Sequence, residues 1–268
     1  MTDQADAVAA HEYRTWQESA KHYINNVAPL TAKSGQISIL IEVAALQSDS
    51  AVLELGCGTG DIAEQLAEVS GRVVGIDFAE NMIRIASDRF PHIGFHVADA
   101  EDLPFTDGEF DVVVSNYTAH HFARPLKVFA EAKRMLKAGG RLAVIMPIQS
   151  EQKGFGAIAQ SVIEELSPDE VPGGPLLNID DPADVAKVLV EAGFDGVYAE
   201  KRIKPTKLDS IDLLLTSGWA IMGLDAQPHK IQDRIRTKTI ERAEPYKQPD
   251  GSYEFPDGVI IAHGTNSA

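Results

Sequence analysis

The chain has 268 residues, 44% of them hydrophobic, which suits one α/β domain with additions and a sizeable buried core. Forty acidic side chains against 24 basic ones give a formal charge of −16, which argues against nucleic acid or an anionic membrane face and for a small, neutral or weakly charged substrate. No apolar run is long enough to cross a bilayer, the start MTDQADAVAA lacks a signal-peptide pattern, and the one cysteine, Cys57, agrees with a reducing, cytoplasmic setting.

In chain order, residues 5–23 read as an amphipathic helix carrying Tyr13, Trp16 and Tyr23, and Thr31 to Leu46 as a second, with Ile37, Leu40, Ile41 and Ala44 on one face. AVLEL (51–55) is a short buried strand, Gly56 to Gly60 a tight turn, and 61–69 a helix. Strands are expected at 72–77, 93–98 and 110–116, with a helix at 79–90. Residues 125–137 read as a helix stopped by Gly139 and Gly140, and 141–147 as a fifth strand. Apolar strands alternating with helices imply a parallel sheet covered on both faces.

Beyond Pro147 the alternation breaks, and 149–178, Gly-rich around a helix at about 157–166, reads as a mobile insertion. A helix over 181–194 starts with Asp181 as cap and Pro182 at its first position. A sixth strand (197–203), helices at 208–223 and 228–244, and a last strand (258–264) complete the chain. The expected fold is a doubly wound, Rossmann-like α/β domain with N-terminal helices (1–47), a cofactor-binding core (48–147) and a substrate-side half (148–268). A helical cover, 205–245, is inserted before its last strand, and the ligand is expected at the carboxyl ends of the strands.

The segment LELGCGTG (53–60) carries the chemistry. Gly56, Gly58 and Gly60 permit positive φ and let the backbone approach a ligand. The second strand ends at Asp77, whose carboxylate can accept both hydroxyls of a ribose. Dinucleotide sites use G-x-G-x-x-G and place a pyrophosphate on a helix N-terminus, whereas here G-x-G-x-G is flanked by Glu54 and Asp61. Carboxylates beside a phosphate repel it, but they suit an ammonium or sulfonium ligand. Asp61 reads equally well as a favourable acid in the first turn of a helix.

These motifs resemble those of class I S-adenosylmethionine-dependent methyltransferases, in the small-molecule branch that includes quinone-biosynthesis (type 11) enzymes. The resemblance covers residues 35–147 well and the remainder in layout only. LELGCGTG looks like that family's first motif, GIDFAENMI (75–83) like the second and ADAEDLPF (98–105) like the third. FDVVVSNYTAHHF (110–122) resembles the strand and loop beneath the sulfonium, and LKAGGRLAVIMP (136–147) the turn and fifth strand. The resemblance implies S-adenosylmethionine as cofactor and a seven-stranded, mostly parallel sheet whose last strand is antiparallel. It also implies that Gly56 and Gly58 hold the methionine tail, Asp77 the ribose, and Asp99 with Ala100 the adenine edge. Phe78 and Met82 would pack on the adenine, and the backbone near Asn116 and Tyr117 would line the methyl-donor end.

Other residues carry two readings each. His120 and His121, not distinguished from one another, are candidates for a general base. His96, alternating with apolar residues, reads as structural, and no metal-ligand spacing is present in the sequence. Tyr13, Trp16 and Tyr23 would either staple the first helix to the body or supply an aromatic substrate wall. Trp219 and Met222 are candidates for an apolar pocket. Ser115-Asn116-Tyr117-Thr118 stands where an Asn-Pro-Pro-Tyr motif would signal amino methylation of nucleobases or glutamine. The expected activity is methyl transfer to an oxygen or carbon of a small, mainly apolar metabolite, by a monomer or homodimer without nucleic acid or membrane insertion. The rivals are a binding module of the same fold, or one using the sulfonium differently, and a nicotinamide-dependent dehydrogenase.

Overall fold

The computed structural model describes residues 2–28, 36–148, 158, 161–162, 165, 181–203, 205–217 and 228–267. Helices α1 (Thr2–Asn26) and α2 (Gln36–Ala44) precede β1 (Ala51–Leu55), α3 (Asp61–Ala67), β2 (Arg72–Asp77), α4 (Glu80–Arg89) and β3 (Gly94–Val97). The second half of the core is β4 (Phe110–Asn116), a 3-10 turn (Ala119–His121), α5 (Pro125–Met135) and β5 (Leu136–Pro147). After it come α6 (Pro182–Glu191), β6 (Asp195–Ile203), β7 (Thr206–Leu208), α7 (Ile211–Ser217), α8 (His229–Ala243), β8 (Tyr253–Phe255) and β9 (Gly258–Thr265).

Seven strands form one sheet in the order β3-β2-β1-β4-β5-β9-β6. β9 runs antiparallel to both its neighbours, and the other pairings are parallel. Successive side chains of a strand point to opposite faces. Leu53 and Leu55 therefore join Phe110, Phe129 and Leu189 in one core layer, while Val52 joins Leu40, Leu66 and Val114 in the other. The chain winds outward from β1 through β2 to β3, then crosses back to β4 and β5. The reversal leaves a crevice between the carboxyl ends of β1 and β4, the position where open α/β sheets bind ligands.

Two expectations differ from the structure in the kind of element formed. The helix expected to reach residue 137 stops at Met135, and Leu136 turns extended (φ −78°, ψ 135°) to pair with Phe110. The Asn266 side chain donates to the Leu136 carbonyl at 2.9 Å, so a contact from the far end of the chain takes the acceptor that a further helical turn would have used. The helix expected over 208–223 is β7 followed by α7. Leu208 packs with Tyr253 and Phe255 of β8 in a satellite cluster that also holds Leu214 and Ala243. The insertion expected over 149–178 lies outside the described residues apart from Ile158, Ser161, Val162 and Glu165, as do Trp219 and Met222.

α1 lies across the rim of the sheet. Ala20 of α1 packs with Ala79 and Met82, with Trp16 and Tyr23 against them. The Gln17 side chain accepts from the Asn81 N–H at 3.1 Å, and the Asn81 amide donates to the Gln17 carbonyl at 2.8 Å. Among the described residues, no helix is long and apolar enough to cross a membrane.

Candidate active site

The turn after β1 is made by backbone that only glycine adopts freely. Gly56, Gly58 and Gly60 have φ of +67°, +51° and +84°. A Cβ on Gly56 would also stand 2.1 Å from Cγ2 of Thr118, so that position excludes a side chain for two reasons. The Asp77 carboxylate ties the turn to the next element: one oxygen accepts from the Gly58 N–H at 3.0 Å, the other from the Ala79 N–H at 2.9 Å. Each oxygen keeps further acceptor capacity for a ligand hydroxyl. Burial pushes Asp77 up to about 6 against those two N–H groups and the nearby His121.

Below the turn lies Glu54, 2% exposed, with Oε2 lacking any partner among the described residues. Burial first, then the charges of Asp61 and Asp77, push it up to about 8. The Ala63 N–H on this carboxyl offsets only part of that cost, and a cationic ligand at the unpartnered oxygen would offset more. Asp61 is different. It accepts from the Thr59 hydroxyl at 2.6 Å and from both Arg89 terminal nitrogens at 2.7 Å. Its charge is thus matched inside the protein, which favours the reading of a first-turn helix acid.

A cavity of about 450 Å³ opens beside the turn. Its floor includes Gly56, Ile76, Asp77 and Phe78, one wall runs from Val97 to Glu101, and Thr118 with His121 to Arg124 forms another. Ala9, Glu12 and Tyr13 of α1 roof it, and the Tyr13 ring stands 5.9 Å from that of Phe78. Phe78, Asp99 and Ala100 thus line the same cavity as Asp77. Met82 does not line the cavity; it is buried beneath α1, because its place on α4 faces that helix. Among the three aromatic residues of α1, Tyr13 faces the cavity. Trp16 packs edge-on to Tyr23 (5.8 Å) and His121 (5.1 Å) as a staple, and Tyr23 lies over Gly58.

Asn116 is buried with Oδ1 unpartnered among the described residues at the end of β4, and Tyr117 follows with φ +54°. Positive φ at a bulky residue is a strained conformation of the kind that gathers at binding sites. The Tyr117 ring itself packs in the opposite core layer, so its backbone is the part turned toward the crevice. His96 meets Phe105 edge-on at 5.6 Å on β3 and lies off the cavity wall.

The two adjacent histidines part company. Burial first, then His121, holds His120 well below its ordinary value, and its Nδ1 has no partner among the described residues. His121 lines the cavity and places Nδ1 3.0 Å from Glu12 Oε2. Sequence reasoning missed Glu12, Thr118 and Arg124. Thr118 donates to the Gly56 and Asn116 carbonyls at 3.1 Å, joining the β1 and β4 ends. Arg124 spans Glu101, at 3.0 Å, and Asp6 of α1. The one local signal for Glu12 is its helical spacing from Trp16, whose indole N–H donates to it at 2.9 Å.

Residues 53–144 match the family model described as a methyltransferase domain, of type 11. Over that stretch, about a third of its length, the chain is similar to class I methyltransferases, of the S-adenosylmethionine-dependent kind. The demethylmenaquinone methyltransferase of Lactococcus lactis is 41% identical over 35% of this chain and 40% of its own length. Across the curated relatives the matching stretch covers 24% to 74% of their length, and for most of them less than half. The crystal structure of a putative methyltransferase from Bacillus halodurans superposes with a TM-score of 0.58 at 23% identity, covering 87% of this chain and all (100%) of that one. The [4+2]-cyclase SpnF has the same fold, with a TM-score of 0.59 at 19% identity over 88% of this chain and 82% of its own. The sheet with its antiparallel β9 is the methyltransferase arrangement that the sequence motifs implied.

Proposed function

We propose that the protein transfers a methyl group from S-adenosylmethionine to an oxygen or carbon atom of a small, mainly apolar metabolite. The observation that carries this reading is Glu54: a buried carboxylate with a free oxygen directly below a glycine turn, beside Asp77. That donor set fits a cationic nucleoside and opposes a pyrophosphate, which removes the support for a nicotinamide cofactor.

S-adenosylmethionine supplies an electrophilic methyl group on a sulfonium. The chain's own residues would bind and orient. The Gly56 and Gly58 backbone and Glu54 take the amino-acid end, Asp77 the ribose, and Asp99, Ala100 and Phe78 the base. The end of β4, Asn116 with the strained Tyr117 backbone, holds the donor end. α1 closes the site from above, keeping water from it, and alignment of the reacting atoms in a dry site supplies most of what methyl transfer needs. The walls favour an apolar acceptor through Tyr13 and Phe122.

The fold is shared with a [4+2]-cyclase, so cofactor binding alone does not imply transfer. The test is incubation of the protein with S-adenosylmethionine and a small-molecule extract, with mass spectrometry for S-adenosylhomocysteine and for products heavier by one methyl. Methylated product supports the reading. Firm cofactor binding without S-adenosylhomocysteine, over a broad panel of phenols, enols and quinols, sinks it in favour of a non-transferring relative.

A further inference from the structure

The cavity contains a pair of groups that cofactor binding does not use. Glu12, contributed by α1, and His121, contributed by the 3-10 turn after β4, both line it, with Glu12 Oε2 3.0 Å from His121 Nδ1. The pair is braced. The Trp16 indole donates to the same Glu12 oxygen at 2.9 Å and presents its ring edge-on to the imidazole. The His121 backbone N–H donates to the Thr118 carbonyl at 2.8 Å. Burial alone would raise Glu12. The hydrogen bond and charge of His121, then Trp16 and His11, outweigh it and hold the carboxyl below its usual value. The other titratable groups facing His121 are His120, ring to ring at 3.9 Å, and Asp77 at the end of β2. Across the cavity stands Arg124, already matched by Glu101 and Asp6.

We propose that Glu12 is the positioning residue of a general base, His121, and that the acceptor is therefore a molecule whose reacting oxygen carries an acidic proton, a phenol or enol. This rests on the methyl-transfer reading above. A carboxylate accepting from Nδ1–H fixes the tautomer and leaves the Nε2 lone pair as the only proton acceptor of the ring. The acceptor's O–H proton passes to Nε2 and later to solvent, and the O–H electron pair stays on oxygen. That oxygen forms the new bond to the methyl carbon as the carbon–sulfur bond breaks, its electron pair remaining on sulfur as a neutral thioether. Because Glu12 belongs to α1, the base is complete only when α1 covers the cavity, which couples proton removal to exclusion of water.

The test uses the full chain saturated with S-adenosylhomocysteine, with binding followed by calorimetry. NMR nitrogen shifts report which nitrogen of the His121 ring carries the proton, the signal assigned by its loss in His121→Gln. Glu12→Gln, whose amide can donate as well as accept, is expected to lose part of the wild type's preference for the Nδ1–H tautomer, and Glu12→Asp to keep more of it. With 4-nitrophenol as probe, absorbance reports the ionised fraction of the bound phenol. It is expected to ionise at lower pH in the wild type than free in solution, to lose this shift in His121→Gln, and to lose about half of it in Glu12→Gln. An unchanged His121 tautomer in Glu12→Gln, absence of bound nitrophenol, or ionisation indifferent to His121 each overturns the inference. Absence of S-adenosylhomocysteine binding by the wild type overturns the underlying reading instead.

Discussion

At Glu54 the physics of the site can be read from a single side chain. Its folded value of about 8 lies above that of an exposed glutamate, so the native state holds this proton more tightly than the unfolded chain does. In the ligand-free protein its contribution is therefore favourable at low pH. It is lost as pH rises from about 4.5 to 8, at a slope of up to about 1.4 kcal/mol per pH unit. Glu54→Gln removes the titration. Ligand-free Glu54→Gln is expected to match the wild type near pH 5 and to melt higher at pH 8, while binding S-adenosylmethionine at least tenfold more weakly. Thermal melts across pH and calorimetry check both halves, and a pH-independent difference in melting would refute the assignment. Gly56 makes a second residue-scale case. Gly56→Ala meets a left-handed φ and the Thr118 methyl, so it should cost about 2 kcal/mol or more in urea unfolding. Adding Thr118→Ser should restore only the part due to the methyl. The glycines and Glu54 stood out in the sequence because one strand–turn–helix unit carries them, and Asp77 and Asp99 because they lie at or just past the ends of the neighbouring strands β2 and β3; their part in cofactor binding is the proposed one. Glu12 did not stand out, because its partner His121 comes from an element remote in sequence and only packing brings the two together.

α1 shows what an element adds beyond its residues. The helix is largely polar, and it is held by contacts from several others: Asn81 of α4 to Gln17, Arg124 to Asp6, and His22 to the Thr216 carbonyl of α7. Each exposed contact is worth little, but together they set how often the roof opens. Asn81→Ala deletes the side-chain bond to the Gln17 carbonyl and should cost about 1 kcal/mol of local stability. Amide exchange over residues 2–26 should then run about fivefold faster, with the exchange of β1 and β4 unaltered. Uniform acceleration over the whole chain would show instead that α1 unfolds only with the core. Elements were legible in proportion to their length. The core strands stood out as apolar runs, whereas β7 and β8, three residues each, are too short for a period of two to register. The start of β5 was misread because Leu136 and Lys137 favour helix locally, and tertiary pairing with Phe110 overrides that preference.

For the whole molecule, the sheet order brings Gly56, Asp77, Phe78, Asp99 and Ala100 to one cavity at the carboxyl ends of the strands, while the expected substrate-side elements are appended after β5. That division explains why the fold could be anticipated from the first half of the chain and the acceptor could not: on the proposed reading, local motifs would grip the cofactor and surfaces from distant segments the acceptor. It also sets the expected response to ligands. A molecule that binds only the folded state stabilises it by about 2.7 kcal/mol at one hundred times its dissociation constant. For a chain of this length that amounts to a rise in melting temperature of about 5 °C or more. S-adenosylmethionine and S-adenosylhomocysteine should each produce such a rise, whereas NAD, whose pyrophosphate would face Glu54, should produce none. The comparison gains force in Glu54→Gln. Without the buried acid, the repulsion toward phosphate falls and the attraction for the ammonium disappears. The gap between S-adenosylmethionine and NAD should therefore narrow from the S-adenosylmethionine side. A gap of the same width in the variant would mean that the glycine turn, and not Glu54, selects the cofactor.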